Sequence, residues 1–238
     1  ANTGASSAWF PSAQLSPMFP EYSDHVAANS GPHTLDFGKA PGAHGVDLGG
    51  PGGFEHLKHL KSFTIALWLN PKSALEGPGG NRILTWMDKD GVEVVHRADG
   101  SLQVGVNQPA GASPARSKAG LLPVIPEQPA DALHGNWRFV AVTYDATLAS
   151  GHLKIYAGPR HIDLKLEGAF DYARGPVGAK TAPVLTLGNV GLPARKLQQD
   201  RGFRGFLDDL RVYGSTVDGS AALDLPRLLA LQNREGAN

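Results

Sequence analysis

The chain has 238 residues, with 22 Lys and Arg against 22 Asp and Glu, no Cys, and 30 Gly plus 18 Pro, about a fifth of its length. The charge balance excludes the basic excess of a nucleic-acid binder and the polybasic patch of a membrane-surface protein, and the missing Cys removes disulfide, Cys-ligated zinc, thiol-nucleophile and haem-attachment chemistry together. With 41% hydrophobic residues and no stretch near the roughly 18 apolar residues of a membrane-spanning helix, the composition fits a turn-rich globular chain with a core of its own and no membrane insertion.

Residues 1–33 are rich in Ser, Pro, Ala and Asn, show no period and read as an extended lead-in; residues 34–238 read as one domain. Phe63, Ile65, Leu67 and Leu69 alternate with period two, which predicts a strand over 63–71. Ile83–Met87, Val92–Arg97 and Ser101–Asn107 follow as strands, separated by the turns Asp88–Gly91 and Ala98–Gly100. Gly100 supplies the positive φ that a tight hairpin connection demands. Residues 108–134 hold five Pro and read as a long loop, of the kind that often carries function. Strands resume at Trp137–Tyr144, His152–Ala157, His161–Leu166, Val184–Gly188 and Phe203–Tyr213. A helical period appears only at Leu225, Leu228, Leu229 and Leu231, with Pro226 tolerated in the first turn. Many short strands between turns predict an all-β antiparallel sandwich with a short C-terminal helix.

The segments Phe63–Pro71, Asn136–Asp145 and Gly205–Tyr213, preceded by Leu35-Asp36-Phe37-Gly38 and Gly45–Gly49, occur in an order that resembles the laminin-G-like, concanavalin A-type jelly-roll domains common in secreted bacterial proteins. The resemblance spans about residues 33–232 and implies a two-sheet jelly roll in a secreted or cell-surface protein, extracellular or periplasmic. Tyr156-Ala157-Gly158-Pro159 departs from the family's usual Tyr-(Val/Ile)-(Asp/Asn)-Gly turn, and the lead-in and the 108–134 segment have no clear counterpart. The resemblance further implies a structural Ca²⁺ held by Asp208 on the last strand, with Asp36 and Gly38 of the first hairpin as companions. Hard oxygen ligands suit that ion. Strict alternation places Asp208 on one face with Phe206, Leu210 and Val212, where a carboxylate needs a partner; an Arg or backbone amides would serve as well as a cation.

Enzymes of this architecture carry Glu-x-Asp-x-Glu on one strand, where period two brings the carboxylates together; no Glu-x-Asp occurs here. His-Glu-x-x-His, Gly-x-Ser-x-Gly and phosphate-cradling Gly motifs are absent too. His56-x-x-His59 and Asp88–Glu93 invite metal readings, yet a surface turn and a hairpin turn account for them. The remaining reading is a non-catalytic carbohydrate-binding or adhesion module, with a divergent polysaccharide-active enzyme and a structural protein-interaction domain of a larger chain as alternatives. Sugar sites pair an aromatic platform with hydrogen-bonding groups. Trp68 and Trp137 read as core. Trp86, on one face with Arg82, is the candidate platform, and Glu93, Arg97, Gln103 and Asn107 are the polar set of the neighbouring hairpin. Arg195, Lys196, Arg201 and Arg204 form a local basic cluster, read as a surface loop or as suited to an acidic polysaccharide.

Overall fold

A computed structural model describes residues 6–7, 13–15, 21–23, 34–37, 45–48, 57–74, 81–86, 90–109, 111–124, 137–159, 162–178, 185–189 and 201–233. In chain order the strands are β1 (Ser6–Ser7), β2 (Ala13–Leu15), β3 (Glu21–Ser23), β4 (Thr34–Asp36), β5 (Val46–Leu48), β6 (Ser62–Pro71), β7 (Asn81–Trp86), β8 (Val92–His96), β9 (Leu102–Val106), β10 (Ala115–Arg116), β11 (Arg138–Asp145), β12 (Leu153–Pro159), β13 (Lys165–Phe170), β14 (Leu185–Leu187) and β15 (Gly205–Ser215), followed by helix α1 (Leu225–Gln232). They form two antiparallel sheets. The back sheet runs β13-β12-β11-β6-β15-β4-β3, with β1 also paired to β15; the front sheet runs β10-β9-β8-β7-β14-β5-β2. This is the two-sheet jelly roll with a short C-terminal helix that the strand pattern predicts. The lead-in differs from a plain loop: β1 pairs with β15, β2 with β5 and β3 with β4, so it reaches both sheets. The strand expected at His161–Leu166 instead spans Lys165–Phe170.

Phe63, Ile65, Leu67 and Leu69 point between the sheets, where Phe63 meets Trp86 edge-on at 5.4 Å and stacks on Tyr144 at 5.4 Å. The alternate residues of β6 point the other way and are buried as well. Ala66 and Trp68 join Trp137, Phe139, Tyr156 and Phe206 in a second apolar layer closed by Leu223, Leu228 and Leu231. Trp68 and Trp137 are therefore core, as the sequence predicts. The hydroxyls of Ser62 and Thr64 hold the connector to α1: Ser62 Oγ donates to Asp218 O and accepts from Ala221 N, while Thr64 Oγ1 donates to Ala221 O and accepts from Leu223 N. Asp224 caps α1 by accepting from Arg227 N. At the far end, Gln232 donates to Pro159 O and Ile162 O and accepts from Leu164 N, tying the helix to the β12–β13 connection.

β-Bulges reset the side-chain parity at three places among the described strands, on β13, β7 and β15. Arg82 pairs with Val95 but Leu84 with Val94, so β7 carries one extra residue and Ile83, Leu84 and Trp86 all enter the core. On β15, Asp208 pairs with Trp68 but Arg211 with Ala66, again one residue extra, with Asp209 at φ 47°. Gly100 has φ 75°, as its turn requires.

His96 is buried beside the Phe203 ring, and its Nε2 lies 2.9 Å from Leu122 O. A carbonyl only accepts, so Nε2 carries the proton of the neutral ring. Burial pushes the imidazole pKa below its ordinary value, against the opposing pull of the Leu122 carbonyl and Asp99. The unfolded ring therefore takes up a proton before the folded one does, so stability contributed by this group is present above about pH 6.5 and is lost progressively below it. An NMR titration should show the His96 midpoint below the ordinary histidine value; a His96 midpoint at or above that value would contradict this. For α1, Leu228→Ala should cost about 2–4 kcal/mol and lower the melting temperature by roughly 5–12 °C. A melt within 1 °C or so of the parent would mean that the helix contributes little to the closed back layer.

Candidate ligand-binding face

The C-terminal connector and helix cover the outward face of the central strands of the back sheet, whereas the front sheet offers a second outward face. Two rows of side chains cross it. Gln103, Val95 and Arg82 are aligned in one row; Gly105, Glu93, Thr85 and Thr186 are aligned in the next. Arg82 spans the rows diagonally: its Nε donates to Glu93 Oε2 at 3.2 Å, and its Nη2 donates to Oε1 and Oε2 at 3.3 and 3.1 Å. Their side chains are 10% and 23% exposed, so the pair is screened by little water. Burial is the main influence on the Arg82 guanidinium and lowers its pKa; Glu93 opposes, while the charges of Arg201 and Arg97 act in the same direction as burial.

The face is recessed toward β14. Thr85 and Thr186 are buried, and Thr85 Oγ1 donates to Asn189 O at 3.0 Å, because the chain turns across the face after β14. Gly188 makes that turn at φ 71°, and a Cβ there would collide with the Phe37 ring. Toward β8 and β9 the face opens: Glu93, Arg97 and Gln103 are half-buried. Arg201 arrives beside them through the backbone, since Arg82 N donates to Arg201 O at 2.9 Å and Arg82 forms a parallel bridge with Gly202. At the hairpin tip Asp99 pairs with Arg116 at 2.6 Å. Hydrogen bonds from Ser101, with the Arg116 charge behind them, keep the Asp99 carboxyl below the usual carboxylate range.

Glu93 and Gln103 thus share one face of their hairpin, as parity predicts, and the Arg82–Glu93 pair brings Arg82 to them. Trp86 does not join them. It is 0% exposed and packs on Phe63 between the sheets, because the β7 bulge separates its parity from that of Arg82. The described strand positions of the face carry no aromatic ring. Asn107 is also corrected: at φ 41° it leaves the strand, donates to Arg174 O and Pro176 O, and accepts from Gly178 N. Its amide fastens the 174–178 loop. Asp208 shares its face with Phe206 and Trp68, whereas Leu210 and Val212 pack toward the inner core, because the β15 bulge intervenes. Asp36 contributes backbone opposite Phe206; its side chain, like Gly38, His56, Asp88, Arg195 and Lys196, lies outside the described residues. His59 sits in a turn at φ 58°, and Glu93 is engaged by Arg82. Sequence reasoning missed Thr85 and Thr186; their signal was alternation within β7 and β14, hidden by the bulge and by the brevity of β14.

The family model described as the concanavalin A-like lectin/glucanases superfamily matches residues 45–220. No curated protein matches the chain. Among solved structures, the CBM40 of the Ruminococcus gnavus IT-sialidase aligns with TM-score 0.57 and 14% identity over 84% of this chain and 97% of that one. The same module bound to α2,3-sialyllactose aligns at 0.55, also with 14% identity, over 84% and 95%. A structure of botulinum neurotoxin type C, whose uptake by cells depends on interaction with two ganglioside molecules, aligns at 0.51 and 13% identity over 98% of this chain. This chain spans 47% of that toxin chain.

The partly buried Arg82–Glu93 pair should matter more to stability than the exposed Arg116–Asp99 pair. Glu93→Gln should cost about 1–2 kcal/mol, since it leaves a guanidinium half-satisfied in a recessed site. Asp99→Asn should cost about 0.5 kcal/mol or less from its ion pair. Urea unfolding of both variants compares them, and equal losses would contradict the ranking.

Proposed function

The chain belongs to the concanavalin A-like lectin/glucanase superfamily, and from that membership we propose that it is a non-catalytic carbohydrate-binding module engaging polysaccharide on the open part of its front sheet. The observation that carries this reading is the contrast between the two outward faces. The back one is covered over its central strands by apolar packing under α1; the front one presents Glu93, Arg97 and Gln103 as a shelf of donors and acceptors beside the more buried Arg82. Sugar hydroxyls need both, and an Arg–Glu pair with a neighbouring amide supplies them in fixed geometry. Carbohydrate-binding modules and lectin-like domains recur among the proteins that share the fold, which supports the same role. A polysaccharide ligand also favours a secreted or cell-surface position, and no described helix is long and apolar enough to cross a membrane.

A structural Ca²⁺ at Asp208 belongs to the same proposal. What supports it is the half-buried carboxylate on β15, one oxygen of which accepts from Asp209 N at 2.8 Å, beside a strand pairing that brings the Asp36 backbone opposite Phe206. The described residues hold no group of three or more metal-ligating side chains, so the ion would draw largely on main-chain oxygens. It would supply a cross-link between the first hairpin and the last strand.

Affinity electrophoresis through gels holding a panel of neutral and acidic polysaccharides tests the binding role, with calcium and with chelator. The expected result is retardation by at least one polysaccharide, weakened about tenfold by Gln103→Ala while the melting temperature is unchanged. Retardation by none across a broad panel would overturn the reading. A melting temperature insensitive to chelator after full demetallation would remove the calcium part alone.

A further inference from the structure

The segment that follows β10 closes over a histidine that the proposed binding role does not use. It crosses the β8–β9 hairpin tip as a strap: Ser117 N donates to Leu102 O at 2.9 Å, Gly120 N to Asp99 O at 2.8 Å and Leu122 N to Gly100 O at 2.8 Å. Ser117 Oγ accepts from Leu102 N in return. Lys118, Ala119 and Gly120 are exposed, while Leu122 is 0% exposed and seats in the inner core. Gly100 permits the close approach, since a Cβ there would stand 3.0 Å from Leu122 O.

Against Leu122 lies the buried His96 ring, its Nε2–H donated to Leu122 O and its buried Nδ1 without a hydrogen-bond partner among the described residues. The neutral ring suits that seat. The imidazolium does not, because its second N–H would be buried with no acceptor. Asn81 on β7 and Leu102 on β9 pair with His96, and the Phe203 ring meets it edge-on. Asp99 in the hairpin turn is the acid that acts on the ring. Hydrogen bonds from Ser101 and the Arg116 charge keep that carboxyl below the usual range, so it stays anionic while the ring titrates. Arg97, Arg116, Lys118 and Arg204 flank these elements and remain cationic throughout.

For Nδ1 to take a proton, the ring has to reach water, and the strap is its weakest cover. β7 and β9 are hydrogen-bonded along both edges, and Phe203 N is fastened to Gly188 O. Past Arg116 the strap holds by three backbone bonds, the Ser117 hydroxyl and the Leu122 side chain. Segments held by so few contacts open locally before a domain unfolds. We propose that residues 117–122 form an acid-released strap: a solvent proton taken up at His96 Nδ1 favours the state in which the bond to Leu122 O is broken, Leu122 has left its seat and the two sheets are intact. The open ring titrates near the ordinary value of about 6.5, so opening becomes more favourable as pH falls below it, by at most about tenfold per pH unit for one proton.

Amide hydrogen exchange of the full chain, followed by NMR and corrected for intrinsic rates, reads this opening. Between pH 7 and pH 5 the opening constant at Ser117, Gly120 and Leu122 should rise about threefold or more. Amides of β6 and β11 should remain about tenfold or more better protected than these at pH 5. His96→Gln keeps a donor for Leu122 O and does not titrate, so its strap exchange should be flat over the same range. Leu122→Ala keeps the histidine and weakens its cover; it should raise strap exchange about tenfold at pH 7 and move the His96 midpoint up toward the ordinary value. Strap exchange that ignores acid, or that responds equally in His96→Gln, would overturn the inference. So would equal protection of strap and core strands at pH 5, because the acid response would then be global unfolding. Should His96→Gln not fold, the Leu122→Ala variant decides, and an unmoved His96 midpoint there would overturn it.

Discussion

β6 hydrogen-bonds β11 along one edge and β15 along the other, and every one of its ten residues is buried. A strand covered on both faces cannot be written as a simple alternation of apolar and polar residues. Its inward set, Phe63, Ile65, Leu67 and Leu69, fills the space between the sheets, while its outward set grades from Ser62 and Thr64 to Ala66 and Trp68. That gradient determines what covers it. Hydroxyls meet the main chain of residues 218–223, the small Ala66 leaves room, and Trp68 meets the aromatic layer under α1. The three-layer arrangement follows from this one strand.

The strands were largely legible because most keep period two over five or more residues, and the turn at Gly100 announced itself by its glycine. The outward burial of β6 was not, since Thr64 and Ser62 look like solvent-facing residues until their hydroxyls are seen spanning the connector. The strands of the lead-in were equally opaque. Two- and three-residue strands carry no readable period, and their pairing is decided by partners far along the chain.

The candidate face divides along the same line. Glu93 and Gln103 lie on an unbroken strand pair, and parity alone placed them on one surface of their hairpin. Trp86 and Asp208 lie on or beyond strands with an extra residue, and a single inserted residue sends the residues that follow to the opposite face. Alternation therefore assigned Trp86 to the ligand side when it belongs to the core, and grouped Asp208 with Leu210 and Val212 when the bulge separates them. Asn107 failed for another reason: a left-handed backbone, which Asn tolerates, turns it out of the strand and toward the 174–178 carbonyls.

The loss of Trp86 from the surface changes the physics expected of recognition. A stacked ring would bind sugars mainly through apolar contact, with little dependence on salt. A shelf made of guanidinium, carboxylate and amide groups binds through directional, charge-assisted contacts, and it needs its own charges held still. The Arg82–Glu93 pair does that holding: burial penalises an isolated guanidinium, Glu93 compensates, and the fork fixes Glu93 across two rows of the sheet. Arg97 and Arg201 then add positive charge to a floor that is already neutralised and rigid. Placed on a flexible loop, the same three arginines would spread apart to relieve their repulsion. Here the Arg82 backbone and residues 201–202 are joined by a hydrogen bond and a parallel bridge, which fixes where the two segments meet.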